Sequence, residues 1–294
     1  MQTKLHWDDI RFVLEVSRHP KLTKAAQHSG QDASTISRRL KRLEGELGIL
    51  LFERTRHGHV LTPEGQEIVH KAEVIEQKIH EVIGLSERTE TQLTGKVRLG
   101  VTEGLGTSVI APAIAGFQRE YPGIDLDLIA MSGFANVSRR EADMAIMLAR
   151  PQTGRLRVRK LTDYTLRLYA TSEYQARMPA VTSLEDLQKH SLIGYVDEMI
   201  YSPQLRYYDE VAPGLSPRLC SPSIVAQLEM TRASAGIAIL PDFMARRYPD
   251  LQPILPDEVS IERTFWLVTH EDVASLSRIR AVSEFLDRLL KPDF

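Results

Sequence analysis

Apolar residues recur at helical spacing in three segments near the N-terminus of the chain. The first segment, Trp7–Arg18, is amphipathic, and a short second helix follows it with Thr23 as its predicted N-cap. Gly30 stands at a turn that requires a positive φ, and a third helix is expected to begin near residues 32–34. We expect the third helix to turn Ile36, Leu40 and Leu43 toward the core. Two short helices joined by a turn that contains glycine predict a helix-turn-helix.

The segment after the third helix alternates as two short strands around Arg54–His59, which predicts a β-wing with a basic tip. A segment without a strand pattern follows at 63–91, and Thr62 and Pro63 suit its N-cap and its first helical turn. The apolar stripe of this segment consists of Ile68, Ala72, Ile75, Ile79 and Val82. The stripe predicts the seam of a dimeric coiled coil, and a helix laid on a domain core remains the alternative.

From Lys96 onward, strand and helix patterns alternate along the chain. The first predicted elements are a strand at Lys96–Thr102, a helix at Thr107–Tyr121, and strands at Ile124–Met131 and Asp143–Ala149. Later strands are predicted at 165–171, 192–196, 237–240 and 263–269, and helices at 172–177, 183–189, 223–235, 242–248 and 275–291. This βαβ rhythm predicts a mainly parallel sheet with helices on both faces. The region is long for one such sheet, so we expect two lobes, with the chain crossing over and returning.

Three regions with different patterns therefore predict an α+β multidomain protein. We expect a winged helix-turn-helix at 1–62, a long linker and dimerisation helix at 63–91, and a two-lobed α/β domain at 95–294. The first lobe is expected to comprise about 95–162 and 269–294, and the second lobe about 163–268.

The chain of 294 residues has a formal net charge of −2, but its charge is unevenly distributed. Residues 1–62 contain eleven Lys and Arg against seven Asp and Glu. Any nucleic-acid binding is therefore expected to come from this locally basic region. Cys220 is the one cysteine of the sequence, which excludes an internal disulfide and a metal site built from several cysteines.

The N-terminal stretch MQTKLHWDDI lacks the apolar core of a signal peptide, and no apolar run has the length of a membrane span. These features predict a cytoplasmic protein without a membrane partner.

The leading end of the third helix carries the side chains that we expect to reach DNA. In a helix-turn-helix, the second helix enters the major groove and its N-terminal residues contact base edges. The predicted base-reading residues are Ser34, Thr35, Ser37 and Arg38, and the predicted phosphate contacts are Arg39 and Arg42. The remaining predicted DNA contacts are Thr23, Gln31, Arg54, Arg56, His57 and Thr62. Taken alone, the basic run would also suit an ordinary solvated helix face.

The run TKAAQHSG…STISRRLKRLEGELGILLFERTRHGHVLTPEGQ resembles the DNA-binding domain of LysR-type transcriptional regulators. The resemblance continues in VRLGVTEGLGTSVIAPAIAGFQREYPGIDLDL, READMAIMLARP and SAGIAILPDFMA. It implies a winged helix-turn-helix, a dimerising linker helix and a two-lobed domain similar to type 2 periplasmic binding proteins. It also implies a tetramer that binds near a promoter and responds to a small molecule. The expected partners are double-stranded DNA, a small-molecule effector, further copies of the chain and RNA polymerase.

One departure from the family concerns Ala33, where relatives commonly carry a glutamine. Alanine makes no hydrogen bond to a base, although its methyl group can touch the methyl group of thymine. Base reading is therefore expected to shift to Ser34, Thr35, Arg38 or Gln31.

The effector is expected beyond the carboxyl ends of the strands, the first of which is Thr102-Glu103-Gly104. Helix N-termini there offer free N–H groups to anions. The predicted effector contacts are Thr102, Glu103, Asn136, Tyr195, Ser221 and Ser223. Glu103 has three open interpretations, namely repelling a simple anion, pairing with a cationic effector, or favouring its own helix dipole. Relatives often place an arginine near Met147 and Leu148, and its absence favours a less acidic effector.

The sequence lacks the motifs of common enzymes, including a serine-nucleophile elbow, an H-E-x-x-H helix and a P-loop. GLGTSV departs from a dinucleotide motif at Val109, and His57 and His59 have no third ligand nearby, so neither a cofactor nor a metal is expected. We therefore predict a DNA-binding regulator controlled by an effector between two lobes, and not an enzyme. The alternative is a cytoplasmic solute-binding or enzymatic α/β module whose N-terminal segment only dimerises.

Overall fold

The computed structural model describes residues 6–56, 58–84, 93–131 and 142–290. The chain divides into two compact units, of which the first is formed mainly by Met1–Thr91 and the second by most of the remaining chain. The elements of the first unit are α1 (Trp7–Arg18), α2 (Leu22–Ser29), α3 (Ala33–Leu47), β1 (Phe52–Thr55), β2 (Gly58–Leu61) and α4 (Pro63–Gly84).

The predicted helix-turn-helix is present as α2 and α3. Gly30 ends α2 with a φ of 66°, the left-handed conformation that glycine adopts without a steric penalty. Asp32 is the N-cap of α3, and its carboxylate accepts a hydrogen bond from the backbone N–H of Thr35 at 2.8 Å. The predicted N-cap Thr23 is wrong, because α2 begins at Leu22, whose side chain packs against the core, after Lys21 as N-cap.

The antiparallel strands β1 and β2 form the predicted wing, which is anchored at both ends. At its start, the Glu44 carboxylate of α3 accepts hydrogen bonds from the backbone N–H groups of Leu51 and Phe52. Near its tip, the backbone N–H of His59 donates to the carbonyl of Pro20 at 2.9 Å. The wing is therefore held in a fixed position relative to both α3 and the turn between α1 and α2.

The core of the first unit is closed by the beginning of α4. Its buried residues are Phe12, Val13, Leu14, Val16, Ala25, Ala26, Ile36, Leu40, Leu43, Leu51, Phe52, Val69 and Ala72. Ala72 is 1% exposed and so belongs to the domain interior, whereas Ile68 packs against the same core but is only partly buried. Ile75, one turn further along, is 41% exposed. The alternative of a helix laid on a domain core is therefore correct for the first turns of α4.

An ion pair fixes α3 to α1. The Asp9 carboxylate, which is 3% exposed, accepts a hydrogen bond from the Arg42 guanidinium at 2.6 Å. The Arg39 guanidinium lies 3.7 Å from the same carboxylate and 4.8 Å from the centre of the Phe12 ring. Both arginines therefore hold the two helices together.

The second unit is a mixed α/β domain. Its first elements are β3 (Gly95–Thr102), α5 (Glu103–Leu105), a π turn (Gly106–Ile110), α6 (Ala111–Glu120), β4 (Ile124–Met131), β5 (Met144–Met147), β6 (Leu156–Thr171) and α7 (Ser172–Arg177). Next are β7 (Leu192–Gly194), α8 (Tyr207–Val211), β8 (Leu219–Cys220), α9 (Ile224–Arg232), β9 (Ile237–Pro241), α10 (Asp242–Ala245), β10 (Leu251–Ile254), β11 (Ile261–His270) and α11 (Ser277–Leu289). Single 3₁₀ turns lie at Leu184–Lys189, Asp197–Met199 and Pro203–Leu205.

All strands of the second unit belong to one sheet with the order β4-β3-β5-β11-β6-β9-β7-β8, and β10 pairs with β6. The strands are parallel within the groups β4-β3-β5 and β9-β7-β8. The pairs β5–β11, β11–β6, β6–β9 and β6–β10 are antiparallel. The prediction of a mainly parallel sheet is therefore correct inside each lobe and wrong at the centre, where the chain crosses over and returns.

The two lobes share the long strands β6 and β11. At one end of this pair, Ile261 lies opposite Leu166, and at the other end Thr269 lies opposite Arg157. The register shifts between Phe265 and Trp266, where β11 begins its pairing with β5 of the first lobe. β6 begins at Leu156, nine residues before its predicted start at 165. Charged side chains interrupt the apolar pattern of these first residues.

The helix after β3 begins at Glu103, four residues before the predicted start at Thr107. Gly106 lies inside this helical segment, where it allows the helix to pack closely on the sheet. A Cβ atom at Gly106 would lie 2.5 Å from Val101 Cγ2 and 2.6 Å from Ala130 Cβ.

Within the described ranges, none of the helices has both the length and the apolar character needed to cross a lipid bilayer.

The substitution Asp9→Ala is expected to lower the free energy of unfolding of the first unit by about 1–3 kcal/mol, because both arginines lose a buried charged acceptor. Trp7 fluorescence in a Trp266→Phe background during denaturation with urea measures this loss. The exposed neighbour Asp8 provides the control, and Asp8→Ala is expected to cost less than about 1 kcal/mol. Equal losses in the two variants would show that the Asp9 ion pair does not stabilise the fold.

Candidate DNA-binding surface and central cleft

Two stripes of polar side chains on α3 point in different directions. Residues separated by three or four positions share a helix face, whereas neighbours differ by about 100°. Ser34, Arg38 and Lys41 form an exposed stripe. Arg39 and Arg42 form a second stripe, which contacts Asp9 on α1; Arg42, which is 53% exposed and four positions from Arg38, lies where the two stripes adjoin. These two arginines therefore have a structural role on α1, and their predicted contacts with phosphates stay predictions.

The hydroxyl groups at the leading end of α3 are oriented by Asp32. Ser34 Oγ donates to one carboxylate oxygen at 2.6 Å, and Thr35 Oγ1 donates to the other at 2.7 Å. These hydrogen bonds, first that from Ser34 and then that from Thr35, hold the pKa of the Asp32 carboxyl well below its usual range. Each hydroxyl has used its one proton, so both present lone pairs outward and act as acceptors.

The exposed stripe of α3 forms a groove with the wing. The groove has a volume of about 170 Å³ and is lined by Ser37, Leu40, Lys41, Glu44, Leu50, Phe52, Arg54 and His59. Arg38 and Lys41 have no hydrogen-bond or ion-pair partner among the residues that the structure describes. The site prediction omitted Lys41, although its spacing of three from Arg38 placed both on one helix face.

The other predicted DNA contacts differ in their surroundings. The side chains of Thr23, Gln31, Arg54 and Arg56 are exposed, and His57 lies outside the described residues. Thr62 is buried. Its hydroxyl donates to the carbonyl of Leu50 at 2.6 Å and accepts from the backbone N–H of Gly65 at 2.9 Å. Thr62 is thus the N-cap of α4, as the sequence predicts, and this role replaces its predicted contact with DNA.

The predicted dimerisation residues divide along α4. Ile79 is half-buried and Ile75 is exposed, whereas Ala72 belongs to the core of the first unit. The side chain of Val82 lies outside the described residues. An ion pair between Arg18 of α1 and Glu76 of α4, at 2.5 Å, holds the exposed part of α4 in place. The hydrogen bond with Glu76 raises the pKa of Arg18.

A closed cleft lies where strand ends of both lobes meet in the second unit. Its wall includes Thr102 at the end of β3, Leu148 after β5, Tyr195 after β7 and Pro241 at the end of β9. The central cleft is further lined by Glu103, Gly104, Leu105, Tyr164, Tyr201, Leu205, Tyr207, Pro222, Ile224, Phe243 and Phe265. The carboxyl ends of parallel strands are the usual position of a ligand site. The cavity measures about 30 Å³, so the cleft must open to admit anything much larger than a water molecule.

Glu103 connects the two sides of the central cleft. One carboxylate oxygen accepts from Ser223 Oγ at 2.9 Å, and the other accepts from the backbone N–H of Ile224 at 3.1 Å. Ser223 is the N-cap of α9 and also accepts from the N–H of Ala226 at 3.0 Å. The carboxylate of the first lobe therefore sits on the N-terminus of a helix in the second lobe.

Two further contacts join the lobes beside Glu103. Gly104 lies so close to Met244 and Ile224 that a Cβ atom would be 2.7 Å from Met244 Sδ and 3.1 Å from Ile224 Cγ2. The Arg247 guanidinium donates a hydrogen bond to the backbone carbonyl of Ser108. Together, these contacts keep the central cleft closed.

Aromatic rings form most of the remaining cleft wall. Tyr164 stacks on Phe265 with ring centres 4.1 Å apart, and Tyr195 lies edge-on to Tyr207 at 6.0 Å. Burial and the nearby negative charge of Glu103 raise the pKa of Tyr201 to about 12. Burial also raises the pKa of Tyr164 and Tyr195 well above the ordinary value. All these phenols stay protonated at neutral pH and present uncharged rings.

The structure brings four of the six predicted effector residues to one region. Thr102, Glu103 and Tyr195 line the central cleft, and Ser223 contacts Glu103. Ser221 stands behind them, where its hydroxyl accepts from the backbone N–H of Ser223 at 3.1 Å. Asn136 lies outside the described residues. Five further lining residues were not predicted because they come from separate elements and share no spacing pattern: Tyr164, Tyr201, Tyr207, Phe243 and Phe265.

Both units match models of one protein family. Residues 7–66 match the model of the bacterial regulatory helix-turn-helix protein, lysR family, and residues 90–291 match the LysR substrate binding domain. The chain belongs to the LysR family of transcriptional regulators. Family members bind DNA through the first domain, bind small-molecule effectors through the second, and oligomerise. This LysR-type chain is therefore a transcriptional regulator and not an enzyme.

Several characterised relatives span nearly the whole LysR-type chain. The Mau operon transcriptional activator of Paracoccus denitrificans is 26% identical over 264 residues, which cover 90% of this chain and 89% of that protein. CrgA of Neisseria meningitidis serogroup C is 26% identical over 292 residues, or 96% of each chain. The structure of CrgA has a TM-score of 0.62 at 25% identity and covers 98% of this chain and 99% of its own. A variant of full-length OxyR from Pseudomonas aeruginosa has the same fold, with a TM-score of 0.66, 20% identity and coverage of 97% for both chains.

The two lobes of this LysR-type domain lie so close together at Gly104 that one added methyl group is expected to destabilise the domain. Gly104→Ala is expected to lower the free energy of unfolding of the second unit by about 1–3 kcal/mol, because the buried Met244 side chain must shift. Trp266 fluorescence in a Trp7→Phe background during urea denaturation measures this change.

Gly116 of α6 is the matched control for Gly104. A Cβ atom there would have no neighbour closer than 4.0 Å, so Gly116→Ala is expected to stabilise the helix by up to about 1 kcal/mol. If Gly104→Ala is as stable as Gly116→Ala, the lobes are not in tight contact at Gly104.

Proposed function

We propose that this regulator reads its operator through the exposed stripe of α3 and contacts the DNA backbone through the neighbouring groove and wing. The observation that supports this proposal is that two basic side chains, Arg38 and Lys41, have no partner among the described residues and lie near the exposed Arg54 of the wing. Basic side chains without internal partners neutralise phosphates at the lowest cost, because no existing ion pair has to break.

The orientation of the hydroxyl groups suggests which base edges they read. Ser34 and Thr35 donate their protons to Asp32 and are left as acceptors. In the major groove, the amino groups of adenine and cytosine are the hydrogen-bond donors. We therefore propose that the leading end of α3 prefers adenine or cytosine at the contacted positions. Ala33 is half-buried and packs against the helix-turn-helix core, which limits its own part in base reading.

The central cleft is the proposed effector site, with Thr102, Glu103, Tyr195 and Ser223 among its contacts and Ser221 as their support. An effector must open the cleft, and it would shift the population between closed and open lobes. We also propose that the exposed part of α4, beginning at Ile75, forms a dimer seam and that dimers pair into tetramers. We further propose that the regulator contacts RNA polymerase. We also propose that it acts in the cytoplasm, where it can reach promoter DNA.

The substitution Arg38→Ala is expected to weaken operator binding by about 10- to 100-fold, which corresponds to the loss of one good base or phosphate contact. Fluorescence anisotropy with a labelled duplex from the DNA flanking the gene measures the dissociation constant at several salt concentrations. If Arg38 contacts a phosphate, the plot of the logarithm of the binding constant against the logarithm of the salt concentration also becomes less steep, by about one unit of slope.

Arg42→Ala, on the same helix, is the matched control. Because Arg42 is paired with Asp9, its loss is expected to reduce stability while the folded protein keeps operator affinity within about threefold. An Arg42 variant that loses as much affinity as the Arg38 variant would refute the assignment of the two stripes. Absence of any wild-type binding at low salt and micromolar protein would refute the proposed function itself.

A further inference from the structure

We propose that Glu103 is a tethered carboxylate that occupies the anion position of the effector cleft, so that the regulator selects effectors that bring no carboxylate to this position. This inference rests on the proposed function of the central cleft as the effector site. It concerns the chemical class of the effector, and it identifies Glu103 as the residue that determines specificity.

The anion position consists of hydrogen-bond donors at the N-terminus of α9. The Ser223 hydroxyl and the Ile224 N–H both point at the Glu103 carboxylate, at 2.9 Å and 3.1 Å. The first N–H groups of a helix have no partner inside the helix and attract negative charge. Ser221 fixes this arrangement, because its hydroxyl accepts from the Ser223 N–H and its carbonyl accepts from the Gln227 side chain at 2.8 Å.

Each oxygen of Glu103 takes one of these donors, which is the pattern that a bound carboxylate ligand would adopt. Glu103 is also the first residue of α5, so its charge lies between the positive ends of two helices, one from each lobe. The contact spans 120 positions of the sequence. The side chain therefore acts as a permanently attached ligand that favours the closed cleft.

An effector with its own carboxylate would have to displace Glu103 from α9 and then lie beside it. Two negative charges at hydrogen-bonding distance from the same donors repel each other, and the surrounding aromatic wall screens them poorly. Apart from Thr102 and Gly104, the rest of the lining described here is made of tyrosine, phenylalanine, leucine, isoleucine and proline side chains. These walls suit an uncharged molecule with a flat apolar body, which enters when the lobes separate, stacks against the rings and does not compete with Glu103 for the donors of α9.

Chemical rescue of the full-length chain tests whether Glu103 occupies an anion position. Glu103→Ala removes the carboxylate and leaves the donors of α9 in place. We expect a lower melting temperature for this variant, and a saturable recovery when sodium acetate replaces sodium chloride at constant ionic strength. Acetamide, which has the same shape without the charge, is expected to give no recovery. Wild-type protein is expected to melt at the same temperature in all three solutions.

Two further variants act as controls in the rescue experiment. Glu185→Ala removes an exposed glutamate near the start of another turn in the second lobe and is expected to show no acetate effect. Ser223→Ala in the Glu103→Ala background removes a donor and is expected to abolish the recovery. If acetate stabilises the wild type as much as the Glu103 variant, or leaves the Glu103 variant unchanged, the proposal is overturned.

A second probe applies even if Glu103→Ala does not fold. Glu103→Gln keeps the size of the side chain and removes its charge, so benzoate is expected to bind this variant at least about tenfold more tightly than it binds wild type. Binding of benzamide is expected to be the same in both proteins. Equal benzoate binding by the two proteins would overturn the proposal. Melting and ligand binding are measured without DNA and test only the role of Glu103. The proposed DNA-binding function is tested separately by the anisotropy titration.

Discussion

The antiparallel pairing of β6 with β11 determines the geometry of the C-terminal domain. Both strands pass from one lobe to the other, and each lobe adds a group of parallel strands to its own side of this pair. Because the parallel groups end at the same place, the helices that follow β3 and β8 start opposite each other across the cleft. The approach of Glu103 to the N-terminus of α9 is a consequence of this arrangement. Any movement of the lobes must bend the two shared strands or slide the surfaces that meet at Gly104.

In the DNA-binding domain, the basic side chains of one helix differ in whether they have a partner inside the protein. Arg38 and Arg39 are neighbours in sequence, yet one is exposed without a described partner and the other approaches a buried carboxylate. The ion pair of Arg42 with Asp9 fixes α3 on α1, and the Glu44 carboxylate fixes the wing on α3. The positions of Arg38, Lys41 and Arg54 relative to one another are therefore set by residues that have no need to touch DNA. If DNA binds here as proposed, this preformed surface reduces the conformational entropy that is lost on binding.

Local patterns in the sequence were sufficient to predict most elements, and long-range contacts account for what was missed. The bounds of α1 and β4, the wing and the capped start of α3 follow from apolar spacing, glycine turns and capping residues. The early start of the helix at Glu103 was missed because Gly104 and Gly106 are small for packing reasons that involve Met244, Val101 and Ala130. The role of Arg39 and Arg42 depends on Asp9, a residue about 30 positions away in sequence. The aromatic wall of the cleft comes from strands and turns that only the sheet topology brings together.

The proposed regulation depends on Glu103 keeping the two lobes closed without an effector. A distance measurement across the cleft can detect whether it does. Spin labels can be attached to Ala115→Cys on α6 and Ala176→Cys on α7, both exposed positions, in a Cys220→Ser background. Double electron–electron resonance then reports the distribution of distances between the lobes, with labelled chains diluted in unlabelled protein. The account predicts one narrow distribution for this protein and an added population at longer distance when Glu103→Ala is introduced. Identical narrow distributions in the two proteins would contradict it.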